Sequence, residues 1–370
     1  MSARFLTVVL ERAFNMRDGF GREIDYMRIS VIDSCNLNCY YCNPCDNNEH
    51  CHALNILSVK EVLCIVRAAT RLGIKHFRLT GGEPLLHPQL DEMVLQIKKI
   101  PGVSSVSLTT NAVLLAQHAK WLKEAGIDSI NVSLDTIDAS EYERITKKPL
   151  LEEVKHGINA AIECGIRVKI NVVLTPQTDV VALTRYVAKK GTDIRFIEMM
   201  PVGEGHTNGV EPYKKVIGTL SKLYGEPCRI NTEKTKEINS GNDKRKIPDN
   251  GPAEYYIFPE LGIRVGLIQA IHGKFCDTCN RIRVTADCRL MPCLGSSVTM
   301  DLVPDSWDFA DDVEKDFAIV RALRAAIKAK PRCHNFNDNA VTYTKTTETK
   351  TTEIEAAEVN AARNMSRIGG

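Results

Sequence analysis

The chain has 370 residues, 44% of them hydrophobic, enough for one large core or two moderate ones and too many for a wholly disordered polypeptide. Lys and Arg number 48 against 46 Asp and Glu, so the net charge of +2 gives no global reason to bind nucleic acid or an anionic membrane. Any anionic ligand must be held by local basic residues.

The opening residues carry only the short apolar run FLTVVL before charges, which does not read as a secretion signal, and no stretch reaches the roughly 18 apolar residues of a membrane span. A cytoplasmic protein is expected. In chain order, β-branched apolar runs predict six strands: RISVI (28–32), HFRLT (76–80), SVSLT (105–109), SINVSL (129–134), RVKINVVL (167–174) and DIRFIEM (193–199). Helical periodicity alternates with them. After the first strand, Val59, Val62, Leu63, Val66 and Leu72 share one face, Ser58 and Glu61 fit a capping box, and Gly73 stands at the stop. Comparable helices are predicted near 88–100, 114–125, 151–164, 179–190 and 211–224.

This alternation predicts a parallel sheet with right-handed crossovers. Polar or unusual residues gather just past strand ends, at 33–42, 81–84, Thr110 and Asn111, Ser133 and Asp135, and 199–203. Such placement suits a barrel whose strand ends converge on one site, so the expected fold is α/β, a partial (β/α)6 TIM-type barrel over 1–225. Beyond 226 the alternation stops. Residues 231–252 read as a polar loop, EYYIFPELGIRVGLI as two strands around a turn, and 311–329 as a helix, together a smaller C-terminal region over 226–338. The remainder, 339–370, begins with repetitive Thr, Glu and Lys and is expected to be a mobile linker with a Gly-Gly tail.

The cysteines carry the chemistry. There are 13, an odd number, and without a secretion signal thiolate-metal binding is favoured over disulfides. In CNLNCYYCNPC, Cys35, Cys39 and Cys42 form a CxxxCxxC group, whereas zinc fingers use two well-separated CxxC-type pairs. Three close cysteines can hold three corners of an iron-sulfur cube and leave the fourth iron open. A second group, Cys276, Cys279, Cys288 and Cys293 in FCDTCNRIRVTADCRLMPCL, leaves zinc and a cluster equally open when read by spacing alone.

CxxxCxYC after the first strand together with GGEP (81–84) after the second resembles the radical S-adenosylmethionine superfamily. FCxxCNRxRxTAD with a third cysteine 14 positions after the second, GPAEYY at 251–256, DGFGR at 18–22 and the terminal IGG resemble the GTP 3′,8-cyclase family of molybdenum cofactor biosynthesis. The resemblance runs from about residue 18 to about 335 and returns at 363–370.

It implies two [4Fe-4S] clusters and S-adenosyl-L-methionine. Cys35, Cys39 and Cys42 would hold the first cluster, whose open iron takes S-adenosylmethionine; Cys276, Cys279 and Cys293 would hold the second, whose open iron contacts the guanine of GTP. Tyr41, Gly82, Ser133 and Met200 fall on positions that contact S-adenosylmethionine. Arg28, Arg78, Thr109, Lys169 and the run Arg281, Ile282 and Arg283 fall on positions that contact GTP. Arg281 and Arg283, with Gly369 and Gly370 of a tail that enters the site, would serve catalysis. In the implied reaction an adenosyl radical takes the ribose 3′ hydrogen of GTP and the carbon radical closes onto guanine C8, giving 3′,8-cyclo-7,8-dihydro-GTP. A cyclic pyranopterin monophosphate synthase would act next, an electron donor is required, and a homodimer is left open. The residues argue in the same direction: a triphosphate of about four charges needs several cations in one cleft, and Arg78 and Lys169 lie inside apolar strand patterns.

Some positions depart from the family. Cys45 and Cys51 lie in a stretched loop after the third cysteine, and Cys288 and Ala112 stand where the family has glycine. Cys45 or Cys288 as a fourth ligand would close a cluster. Rival readings are a peptide-modifying radical enzyme with an auxiliary cluster and a zinc-bound structural protein. His50, His52, His272 and His334 read as surface or packing residues.

Overall fold

The computed structural model describes residues 16–42, 55–202, 209–230, 251–296, 298–302, 312–334 and 336. The predicted alternation is present as β1 (Tyr26–Ser30), α1 (Val59–Arg71), β2 (His76–Thr80), α2 (Leu90–Lys98), β3 (Ser105–Thr110), α3 (Leu115–Glu124) and β4 (Ser129–Ser133). It continues through α4 (Ala139–Thr146), α5 (Leu151–Glu163), β5 (Val168–Leu174), α6 (Val180–Lys189) and β6 (Asp193–Glu198). The expected capping box on α1 is formed, with Ser58 Oγ accepting from Glu61 N and Glu61 accepting from Ser58 N at 2.6 Å. Two expectations shift. β1 lies two residues earlier than predicted, and the predicted helix at 211–224 is present but wound more widely, as a π-helix, over Tyr213–Ile217 before it continues as the short α7 (Gly218–Tyr224).

Past residue 226 come β7 (Cys228–Ile230), β8 (Glu254–Ile257), β9 (Arg264–Ile268), β10 (Arg281–Val284), β11 (Arg289–Met291), β12 (Met300–Asp301) and α8 (Asp312–Lys328). These strands are not a separate sheet. The order is β12-β11-β10-β1-β2-β3-β4-β5-β6-β9-β8-β7, with β10 parallel to β1 and β9 parallel to β6. The six-stranded partial barrel of TIM type is thus extended on each flank by one parallel C-terminal strand, beyond which β11 and β12 on one side and β8 and β7 on the other pair antiparallel. No described helix is long and apolar enough to cross a membrane.

Parity along the strands divides the molecule into two layers. Met27, Ile29, Phe77, Leu79, Val106, Leu108, Ile130, Val132, Ile170 and Phe196 point outward and are buried beneath the helices. The alternate residues point inward and are mostly polar: Tyr26 and Arg28, His76 and Arg78, Ser107 and Thr109, Asn131 and Ser133, Lys169 and Asn171, and Arg195 line one cavity. A fully packed parallel sheet would read apolar on both faces, so this period-two polarity marks a hollow interior.

Candidate active site

The first cysteine loop leaves β1 and is fixed at several points. Asn38 N donates to Thr146 O at 3.0 Å and Tyr40 N to Ile145 O at 3.1 Å, which seats the loop on the end of α4. Cys42 N donates to Cys39 O at 2.9 Å, turning the chain so that Cys35, Cys39 and Cys42 all border the cavity. Tyr41 also borders it, with its hydroxyl donating to the half-buried Asp135, whose other oxygen accepts from Val173 N at 2.7 Å.

GGEP supports this loop from the neighbouring strand. Gly82 N donates to Ile32 O and Glu83 N to Ser34 O, both at 2.8 Å. A Cβ on Gly82 would lie 2.1 Å from Ser34 O and 2.6 Å from Asp33 O, so the close approach that requires glycine is to the chain's own backbone. Gly82 borders the cavity as well. Glu83, fully buried, accepts from Thr110 Oγ1 and Asn111 N, each at 2.7 Å, and Asn111 Nδ2 reaches Asn36 Oδ1 at 2.7 Å and the Cys35 sulfur at 3.8 Å. The motif glutamate therefore orders the cysteine loop through Asn111.

The electrostatics of the two triads differ. Burial pushes Cys35 up to about 11, with the Glu83 charge adding to the effect, and burial with neighbouring Cys42, Asp135 and Cys35 holds Cys39 well above the ordinary thiol range. Burial also raises Glu83 to about 7 and Asp135 to about 6. Thiols crowded together beside carboxylates favour a cationic guest, and the irons of a cluster meet that need. The described residues include no group of three or more His, Cys, Asp or Glu arranged to hold a metal ion. The thiols instead border open volume, as a multi-atom cluster requires.

Cys276, Cys279 and Cys293 border the same cavity, which has a volume of about 700 Å³. Burial pushes Cys279 up, but Arg281 and Lys330 outweigh it and bring the thiol to about 7, while burial raises Cys276. Their loop is anchored from a distance. Arg22, in the turn that carries DGFGR, pairs with buried Asp18 and donates to Cys276 O at 2.7 Å, Arg332 O at 2.9 Å and Pro331 O at 2.6 Å. His334 bonds Ala270 O at 2.7 Å and lines the cavity, so it packs at the site's wall; His272 pairs with Glu198 at the end of β6. Cys288 does not line the cavity; it sits in the turn between β10 and β11 at a φ of 57°. Cys45, Cys51, His50, His52, Gly369 and Gly370 lie outside the described residues.

Of the other expected residues, Ser133, Met200, Arg28, Arg78, Thr109, Lys169, Arg281 and Arg283 all border the cavity. Ile282 does not. Strand parity turns its side chain into the outer core, where it is 1% exposed, leaving only its backbone for a ligand. The arginines stand in adjacent registers, Arg283 beside Arg28 and Arg28 beside Arg78. Burial, then Arg283 and the other guanidiniums, disfavour charge on Arg28; burial and Arg281 bring Arg283 down to about 10. A polyanion between them would relieve both effects.

Sequence reasoning missed several contributors. Arg195 lines the cavity, donates from Nε to Asn171 Oδ1 at 2.9 Å, and leaves Nη2 buried with no protein partner. Gly266 opposite it has no room for a Cβ, which would meet Arg195 Cγ at 2.8 Å. The signal was in DIRFIEM, a cation inside an apolar strand like Arg78 and Lys169. Asn131 and Asn171 share the inward parity of those cations.

The family model described as "Radical SAM superfamily" matches residues 29–182, and "Molybdenum Cofactor Synthesis C" matches residues 192–336. A GTP 3′,8-cyclase of Clostridium perfringens is 35% identical over 324 residues, covering 87% of this chain and 95% of that protein. Those of Pelotomaculum thermopropionicum and Peptoclostridium acidaminophilum are 36% and 37% identical, covering 86% and 87% of this chain and 95% and 94% of those proteins. Among solved structures, Streptococcus suis SuiB shares the fold, with a TM-score of 0.54 at 15% identity over 81% of this chain and 65% of that chain.

Proposed function

The chain belongs to the GTP 3′,8-cyclase family of the radical S-adenosylmethionine superfamily, and from that premise we propose that it converts GTP to 3′,8-cyclo-7,8-dihydro-GTP, the first step of molybdenum cofactor biosynthesis. One observation carries the reading: a single cavity of about 700 Å³ is bordered by both cysteine triads and by inward-facing cations from several strands. A binding module for one ligand has no need of that combination.

Cys35, Cys39 and Cys42 would hold the cluster that binds S-adenosylmethionine, and Cys276, Cys279 and Cys293 the second cluster. When bound, these groups supply the radical and redox chemistry that opens and completes ring closure. The chain's own residues bind, orient and exclude water. Tyr41, Gly82, Ser133 and Met200 border the cavity and would position S-adenosylmethionine. Arg28, Arg78, Lys169, Arg281 and Arg283, joined by Arg195, would hold the triphosphate. Thr109, between Arg78 and Asn131 in the strand order, would bond the nucleotide. Reacting atoms must be brought to near-attack distance and kept from solvent, and an interior cavity serves both ends.

The electron is expected from a separate donor and the product is expected to pass to a cyclic pyranopterin monophosphate synthase. Sizing the anaerobic protein by light scattering distinguishes a monomer from a homodimer. The central test is anaerobic incubation with S-adenosylmethionine, a reductant and GTP deuterated at the ribose 3′ carbon. Deuterium is expected in 5′-deoxyadenosine. Equal turnover of ATP or of a peptide would remove the cyclase reading while leaving the superfamily membership intact.

A further inference from the structure

Two residues past the end of α8, the chain turns Lys330 into the interior, where it is 3% exposed. Burying an ammonium is costly unless negative or dipolar partners surround it. Lys330 has them. Its Nζ donates to Arg281 O and to Pro292 O, both at 2.8 Å, so it ties together the two segments that carry Cys279 and Cys293. An ammonium has three donors. Both carbonyls lie close in the chain to proposed ligands, Arg281 two residues after Cys279 and Pro292 directly before Cys293, so the ammonium is held between the two cysteine segments. The same lysine borders the cavity.

We propose that Lys330 is a positioning residue of the second cluster, whose ammonium, fixed by the carbonyls of Arg281 and Pro292 between the Cys279 and Cys293 segments, raises the cluster's reduction potential. This rests on the reading of Cys276, Cys279 and Cys293 as cluster ligands. One-electron reduction adds negative charge to a cluster with thiolate ligands and breaks no bond. A fixed cation beside those sulfurs stabilises the reduced form more than the oxidised form.

The test uses the full chain, purified anaerobically with both clusters, and an electron paramagnetic resonance titration of each cluster. The first cluster is distinguished by its response to added S-adenosylmethionine. In Lys330→Met the second cluster's midpoint is expected to fall, with about a tenfold lower ratio of reduced to oxidised cluster at fixed potential, or roughly 59 mV for a one-electron couple. The first cluster should be unmoved and Lys330→Arg should restore the wild-type value. Full iron with an unchanged midpoint in Lys330→Met overturns the inference, as does loss of iron with no change in the clusters that remain. A wild-type chain that assembles only one cluster overturns instead the ligand reading on which it rests. If Lys330→Met does not assemble, wild-type protein enriched in 15N-lysine keeps the question answerable. A 15N coupling to the reduced second cluster is expected, and its absence overturns the proposal.

Discussion

Replacing Arg22 with alanine should uncouple the second cysteine loop from the barrel. Arg22 is 8% exposed and its guanidinium makes four contacts, to Asp18 and to the carbonyls of Cys276, Pro331 and Arg332. Breaking a buried ion pair by removing one partner costs about 3–5 kcal/mol. Asp18 Oδ1 keeps two donors, Phe20 N at 2.9 Å and Arg22 N at 3.0 Å, which favours the lower end. Three carbonyls would each lose a charged donor, but water can reach a loop edge, and such effects do not add. A loss of about 3 kcal/mol follows, a large share of the roughly 5–15 kcal/mol that stabilises a folded domain. The consequence should be local as well as global, because Arg22 ties Cys276 O to the DGFGR turn, while the other donor to that carbonyl, Cys279 N at 3.1 Å, lies within the loop itself. After anaerobic reconstitution, iron should fall from about eight towards about four atoms per chain as the second cluster is lost. Thermal unfolding should drop by several degrees. Arg22→Lys, which cannot make the forked contacts, should lie between. If Arg22→Ala keeps full iron and an unchanged unfolding temperature, the turn is not an anchor and the reasoning fails.

Other expectations follow from the same geometry. Gly82→Ala drives a Cβ to 2.1 Å from Ser34 O, a backbone clash worth about 3 kcal/mol of overpacking, and should cost the first cluster selectively by iron analysis and resonance spectroscopy. Ala112 has a φ of 65°, so Ala112→Gly should stabilise by up to about 1 kcal/mol in urea unfolding; a loss of stability would show that its methyl packing outweighs the backbone strain. Glu83 ordinarily titrates at 4.5 and is raised to about 7 in the fold, so the folded chain holds more protons than the unfolded one between those values. The stability of the cluster-free chain should therefore fall as pH rises from about 4.5 through 7, by roughly 3 kcal/mol from this group, and Glu83→Gln should flatten the dependence. A rise over that window would contradict the sign. From the family resemblance and not from this geometry, deleting Gly369 and Gly370 should abolish GTP turnover while iron content is retained, and normal turnover would remove the tail from the proposed site.

How much was legible in the sequence can be judged from particular residues. The strand and helix alternation, the α1 capping box and the cysteine spacing are local patterns, and each is present where a few neighbouring residues determine it. Ala112 and Cys288, read as departures from glycine, both prove to have positive φ, the backbone region that favours glycine. The polar alternation in YMRIS, HFRLT and SINVS was visible as well. β-branched content marks these segments only as strands, whereas their period-two polarity marks the hollow interior they enclose. Helix α4 was missed because its eight residues carry too short a periodic run beside the polar loop before it.

The sequence by itself determined the class of chemistry, since three cysteines within eight residues, GGEP and the CNRIRVTAD segment are contiguous and need no fold to be read. Only the tertiary structure decided which groups meet. Arg22 reaches carbonyls more than 250 positions away, β9 and β10 extend the barrel from opposite edges, and Ile282 is turned out of the cavity between Arg281 and Arg283, which are turned in. The physical reason is that local propensity and spacing act over a few residues. Register, parity and the burial of charge depend on which strands become neighbours, and that is settled only when the whole sheet forms.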